Sequence, residues 1–327
     1  MTTTPRAASP VDLAAYGPYA PKPKPGATGR PGPAFPGRIT VDGSSGFRAE
    51  AGRYHLYVSN ACPFCQRVTI VRALKGLEDV ISVSVLDPMR DGRGWAFREG
   101  DGHGLDEVNG FALLSEAYTA TEPGFEGHWS VPVLWDKAEN RIASNDFRNM
   151  SIDVGTAFDQ WATNDVDLYP QSLRAEIDEL NEFLFDRIHN GPYRCGFAPS
   201  QADHEREVRS LFAALDEIEE RLASRRYLHG DHLTESDIRL WVTLARFDSV
   251  YVTHFKANLR RLVDHPNLWG YARDLYARPE FRSTTDFDQI KRHYFLTHTW
   301  INPSNLVPLG PELDWDAPTD RARPDIG

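Results

Sequence analysis

The chain has 327 residues, is 41% hydrophobic and 25% charged, and carries a net charge of −11. This length suggests two domains and this composition a globular protein. The negative balance argues against a general electrostatic grip on nucleic acid or anionic membrane, and no apolar run approaches the ~20 residues of a membrane span. Three cysteines, Cys62, Cys65 and Cys195, cannot build a disulfide framework. The N-terminal stretch lacks the apolar core of a signal peptide, so a reducing cytoplasm is the expected setting.

Residues 1–50 are rich in proline and glycine ("YAPKPKPGATGRPGPAFPGRI"), so regular structure is not expected there. They form either a disordered tail or an extended arm on the body or on a second subunit. "YHLYVS" then reads as a strand, and Pro63 suits the first turn of a helix, where its missing N–H costs nothing. Val68, Val71 and Leu74 give that helix an apolar stripe, and "VISVSVLDP" is a second strand. A short helix is expected at "FALLSEAY". "SVPVLWD" and "RIASND" read as a hairpin followed by another short helix. This order, β-α-β and then β-β-α, is the thioredoxin-like plan.

After about Tyr169 the pattern is helical. Leu173, Ile177, Leu180, Leu184 and Ile188 share one face, with Gly191 as a stop. Val208, Leu211, Phe212, Leu215, Ile218 and Leu222 make a second stripe. Thr234 and Asp237 form a capping box at the start of "LTESDIRLWVTLARF", and "NLWGYARDLY" is a further helix. The tail from Trp300 reads as extended. The expected divisions are an arm over 1–50, a thioredoxin-like thiol-binding domain over 51–160, and an all-helical substrate domain with its tail over 161–327.

The chemistry concentrates at "NACPFCQR". Cys62 follows a strand and opens a helix, where unpaired N–H groups and the helix dipole favour a thiolate nucleophile. Arg67, about one turn on, adds positive potential. Spacing alone also allows a Cys62–Cys65 redox pair, two structural cysteines or, least favourably, a zinc clip, for which no second ligand pair is present. A single nucleophile, Cys62, with Cys65 as an optional partner, agrees best with the large helical half, since a small dithiol carrier needs no such pocket.

A thioredoxin-like half with an active cysteine, joined to a helical half with a capping box, resembles the glutathione transferase superfamily. The closer similarity is to its Xi class, the glutathionyl-hydroquinone reductases. It is carried by "NACPFCQR", "GWAF", "VPVLWDK", "GPYRCGFAPSQ", "YLHGDHLTESDIRLWVTLARFDSVYVTHFKANLRRL", "HPNLWGYARDLY", "FDQIKRHYF" and "INPSNLVPLGP", in order from about residue 30 to about residue 315. The resemblance implies that Cys62 is the nucleophile and that Trp95 lies against the bound thiol. It implies that Val131, before a cis Pro132, pairs its backbone with that thiol's peptide, and that Tyr193, Tyr251 and Tyr294 line the substrate pocket. It further implies a homodimer, hydroquinone–thiol conjugates as substrates, and no metal. An omega-like thioltransferase or dehydroascorbate reductase, a conjugating transferase, and a non-catalytic binding module are the other readings.

The sequence departs from the class at the thiol-binding positions. The class motif Cys-Pro-Trp-Ala-His-Arg is here Cys-Pro-Phe-Cys-Gln-Arg. Two expected arginines are replaced by Ser115 and His128. A Glu-Ser pair that grips a γ-glutamyl group is replaced by Asp146–Phe147: Asp146 keeps the carboxylate, on a shorter side chain, and stays a candidate cofactor-binding residue, whereas Phe147 has no hydroxyl. Losing two cations and a hydroxyl weakens a site for glutathione, which has two carboxylates and an ammonium. The co-substrate is therefore expected to be glutathione or mycothiol, a cysteinyl sugar without those carboxylates.

Overall fold

A computed structural model describes residues 4–19, 32–319 and 321. The middle of the proline- and glycine-rich stretch, residues 20–31, lies outside the described residues. The chain divides into two compact units. One runs through Val166 and includes Asp288–Thr299; the other comprises Asp167–Phe287 and the residues from Trp300 onward.

The first unit is built on a four-stranded sheet: β3 (Tyr54–Val58), β4 (Ser82–Val85), β5 (Val133–Asp136) and β6 (Arg141–Ser144), in the order β4-β3-β5-β6. Strand β3 runs parallel to β4 and antiparallel to β5, so a crossover must join β3 to β4. That crossover is helix α2 (Pro63–Leu74). Every residue of β3 is buried, as a central strand covered on both faces requires. Helices α3 (Leu114–Thr121) and α4 (Met150–Ala157) complete the expected thioredoxin-like order.

In residues 1–50, where regular structure was not expected, the described residues include the single turn α1 (Leu13–Tyr16) and the paired strands β1 (Arg38–Thr40) and β2 (Gly46–Arg48). The early arm is docked rather than loose. Ala8 N–H donates to Phe97 O at 2.9 Å, and the Arg93 guanidinium bonds Ser9 and Pro10 while lying 3.8 Å from the Tyr16 ring centroid. These are isolated polar contacts without period, so no hydrophobic pattern announces them.

The second unit is helical: α5 (Arg174–Phe183), α6 (Gly191–Gly196), α7 (Gln201–Leu222), α8 (Glu235–Arg246), α9 (Val252–His254), α10 (Pro266–Tyr276) and α11 (Pro279–Arg282). The stripe from Val208 to Leu222 is the buried face of α7. The expected capping box is present: Thr234 N–H donates to Asp237 Oδ2 at 2.8 Å, and the same carboxylate accepts Leu228 N–H at 2.9 Å and the Tyr271 hydroxyl at 2.8 Å. In the tail, Trp315 packs on Trp241 and Trp269 at 5.7 and 4.8 Å between centroids. The last helix, α12 (Phe287–Thr297), is where the division by sequence and the division by structure part. The sequence reading places it in the helical half, but Asp288–Thr299 group with the first unit. There Gln289 Nε2 donates to Asp101 O at 3.0 Å, and His293 Nδ1 lies 2.6 Å from Pro88 O.

Candidate active site

Cys62 is the N-cap residue of α2, with extended backbone and Pro63 at the first helical position. Its side chain makes no capping bond. Cys62 Sγ lies 3.9 Å from Val131 O, and the Val131–Pro132 peptide is cis as expected. Cys65 sits one turn further in and is 1% exposed against 8% for Cys62. Its sulfur accepts the Ser59 N–H at 3.4 Å. The two thiols thus occupy different environments: one at the mouth of the helix, the other within the core. Cys195 belongs to the second unit, where burial pushes its thiol up to about 12.

The loop carrying the cis proline is tied down by a network the sequence did not announce. The Tyr118 hydroxyl donates to Ser130 O at 2.7 Å and accepts Asn145 Nδ2 at 3.0 Å. Asn145 Oδ1 accepts Phe35 N–H at 2.8 Å. Burial pushes the Tyr118 phenol up to about 12, so it acts in this network as a neutral hydroxyl.

The positions that depart from the class are each occupied in a specific way. His128 Nδ1 lies 2.9 Å from the hydroxyl of Tyr19, delivered by the arm. Phe147 packs on Phe64 at 4.9 Å between ring centroids, and Arg67, 1% exposed, lies 4.7 Å from the Phe64 ring. Two aromatic residues, each read separately as a departure, are therefore one contact. The Asp146 carboxylate accepts Arg148 N–H at 3.0 Å and Asn149 Nδ2 at 2.6 Å, binding it into the turn that leads to α4. Ser115 is half-buried on α3.

Trp95 is 4% exposed and is contacted by two groups of its own unit. Arg90 lies 4.4 Å from its ring centroid, and His293 stacks on it at 5.1 Å and 10°. Tyr294, next along α12, is buried and meets His298 edge-on at 5.7 Å. The first unit therefore holds Cys62, Trp95, Val131, Pro132, Asp146 and Tyr294 together. Sequence reasoning missed Arg90, because a single arginine in an irregular loop carries no motif.

Tyr193 and Tyr251 belong to the second unit, where they join an aromatic cluster. Their centroids are 6.1 Å apart; Phe255 lies 5.0 Å from Tyr193 and stacks on Tyr251 at 5.7 Å. Tyr251 closes the π-helical turn Phe247–Tyr251, a backbone irregularity common at functional sites, and Tyr193 lies in α6, which follows a second such turn, Leu184–His189. His254 beside them is pushed down to about 4 by burial and is neutral at physiological pH.

Comparison with known proteins gives two family matches: Glutathione S-transferase, N-terminal domain, over residues 61–151, and Glutathione S-transferase, C-terminal domain, over residues 201–274. The chain is 44% identical over 296 residues to glutathionyl-hydroquinone reductase YqjG of Escherichia coli, covering 90% of this chain and 88% of that one. It is 44% identical over 267 residues to glutathionyl-hydroquinone reductase PcpF of Sphingobium chlorophenolicum, with coverages of 82% and 85%. The glutathione-bound structure of YqjG superposes with a TM-score of 0.85 at 43% identity, covering 88% of this chain and 96% of that one. The glutathione transferase Xi of Phanerochaete chrysosporium superposes with a TM-score of 0.84 at 44% identity, covering 87% and 97%.

Proposed function

Because this chain belongs to the Xi class of glutathione transferases, the glutathionyl-hydroquinone reductases, we propose that it removes a small thiol from S-conjugated hydroquinones through a mixed disulfide at Cys62. The observation that carries this reading is the placement of Cys62 at the N-terminus of α2, its sulfur beside the carbonyl of Val131. The helix N-terminus favours a thiolate there.

The reaction needs a thiolate, an electron sink and a proton. The Cys62 thiolate attacks the thioether sulfur of the conjugate, forming the S–S bond as the ring C–S bond breaks. An aryl carbanion would be a very poor leaving group. A shift of a ring hydroxyl proton to the keto tautomer lets the departing electron pair settle on a carbonyl oxygen instead. The ring carbon is protonated in that tautomer, and the freed ring returns to the hydroquinone. A tyrosine hydroxyl can hold the phenolic oxygen or relay its proton, a role we assign to Tyr294, Tyr193 and Tyr251. A second small thiol then attacks the mixed disulfide, releasing a small-molecule disulfide and the Cys62 thiolate.

The identity of that thiol rests on the departures from the class. His128 is engaged by Tyr19, Phe147 by Phe64, and the Asp146 carboxylate by its own turn. A thiol with fewer carboxylates than glutathione, such as mycothiol, suits these positions. The test is turnover of one hydroquinone conjugated to each thiol, with intact-protein mass recording the adduct on Cys62. Equal or faster turnover of the glutathione conjugate refutes the mycothiol assignment. Absence of any adduct on Cys62 refutes the mechanism. The class resemblance also points to a homodimer, which sedimentation measures directly.

A further inference from the structure

The Tyr118 hydroxyl stands one residue away from both segments expected to meet the co-substrate. Tyr118 is fully buried on α3, in the same unit as Cys62. A neutral phenol has one proton to give and two lone pairs to accept with, and here all are used. The hydroxyl donates to Ser130 O at 2.7 Å, and it accepts Ser130 N–H at 3.1 Å and Asn145 Nδ2 at 3.0 Å. One side chain thus pairs with both main-chain groups of Ser130, as a neighbouring strand would, just before β5 begins. Asn145 extends the chain of bonds. Its N–H donates to Phe35 O at 2.9 Å, its Oδ1 accepts Phe35 N–H at 2.8 Å, and the Phe35 ring lies 5.7 Å from that of Tyr118. The residue after each partner belongs to the candidate thiol site. Val131 follows Ser130, and its carbonyl oxygen lies 3.9 Å from Cys62 Sγ. Asp146 follows Asn145. Buried polar groups left unpaired are costly, so these bonds favour one arrangement of the two segments over others.

We propose that Tyr118 is a positioning residue of the thiol site: its hydroxyl fixes Ser130–Val131 and Asn145–Asp146 against each other and so sets the Val131 main chain beside the Cys62 sulfur. The proposal rests on the reading of Cys62 as nucleophile and of Val131 as the main-chain partner of the co-substrate. It concerns the cysteinyl unit, which glutathione and mycothiol share, and so is separate from the choice between them. It also gives the segment around Phe35 a part in the site, because Phe35 holds the far side of Asn145.

The test compares two disulfides that differ in what flanks the sulfur. In a Cys65→Ser/Cys195→Ser background, Cys62 is the one thiol left. Its conversion to a mixed disulfide is timed by intact-protein mass. One reagent is oxidised N-acetylcysteine methylamide, which carries the amide groups of a cysteinyl unit; the other is dithiobis-nitrobenzoate, which has none. Tyr118→Phe keeps the ring and removes the hydroxyl. It is expected to slow the reaction with the amide-bearing disulfide about tenfold and to leave the other within about twofold. Asn145→Ala leaves the Tyr118–Ser130 pair in place and is expected to fall between Tyr118→Phe and its parent. In the enzyme with all three cysteines, Tyr118→Phe is expected to raise KM for the glutathione and mycothiol conjugates by the same factor. Equal slowing with both disulfides, or slowing with neither, overturns the proposal, and so does a KM change confined to one conjugate. Should Tyr118→Phe fail to fold by circular dichroism, Asn145→Ala carries the same comparison. If Cys62 reacts with the amide-bearing disulfide but the enzyme turns over neither conjugate, the proposed reaction falls, and the two disulfides alone decide the role of Tyr118.

Discussion

His55 offers a quantitative test of how the first unit is built. It sits on the inner strand β3, 2% exposed, with Nδ1 2.7 Å from Ser82 Oγ and Nε2 3.0 Å from Ser84 Oγ. Both serines lie on the neighbouring strand β4, so the neutral ring bridges the parallel pair. Burial, helped by the charges of Lys137 and Arg72, pushes the imidazole down to about 3 from an ordinary 6.5. The folded protein therefore binds fewer protons than the unfolded chain below pH 6.5, and stability is lost as pH falls from 6.5 toward about 3. One such group contributes up to about 1.4 kcal/mol per pH unit, which gives about 2–3 kcal/mol two units below its ordinary pKa. His55→Gln keeps a donor and an acceptor but cannot take up a proton. Urea unfolding of both proteins, followed by tryptophan fluorescence at a series of pH values, gives the difference in stability. His254 and the carboxylates cancel in that difference. The variant is the less stable protein at neutral pH, and the gap is expected to close by about 2–3 kcal/mol on acidification. A gap that stays constant refutes the neutral, buried imidazole.

Asp237→Ala removes the acceptor for the main-chain N–H groups of Leu228 and Thr234 and for the Tyr271 hydroxyl. At about 1–3 kcal/mol for each buried donor left unpaired, a loss of about 3 kcal/mol or more is expected in urea unfolding. Phe147→Ser opens the Phe64 contact and is expected to cost about 3 kcal/mol, while the new hydroxyl lowers KM for the glutathione conjugate relative to the mycothiol conjugate. Cys65→Ser is expected to retain turnover, because its sulfur is buried against the Ser59 N–H, whereas Cys62→Ser loses it. Equal loss in both variants would favour a dithiol mechanism.

Much of the fold is legible in the sequence because its elements carry one-dimensional signals. The apolar content of residues 54–58 and 133–136, Pro63 at a helix start and the Thr234–Asp237 box are local features with local causes. The same holds for Cys62, whose position between a strand and a proline is enough to place it at a helix N-terminus. What escapes is everything whose meaning depends on a distant partner. The arm docks through single residues such as Ser9 and Tyr16, which have no period to detect. Helix α12 has the composition of the helical half, and only contacts such as His293 with Pro88 and Trp95 assign it to the first unit.

The departures from the class show the same limit from the other side. Read one at a time, Phe64 is a conservative change and Phe147 a loss. In space they are a pair, 4.9 Å apart, so neither substitution is independent of the other. His128 likewise reads as an arginine lost, yet it is one end of a contact whose other end is the arm residue Tyr19, and Tyr19 in turn covers Arg90. These positions are therefore coupled through packed rings and the arm, and a substitution at one of them is read together with its partner.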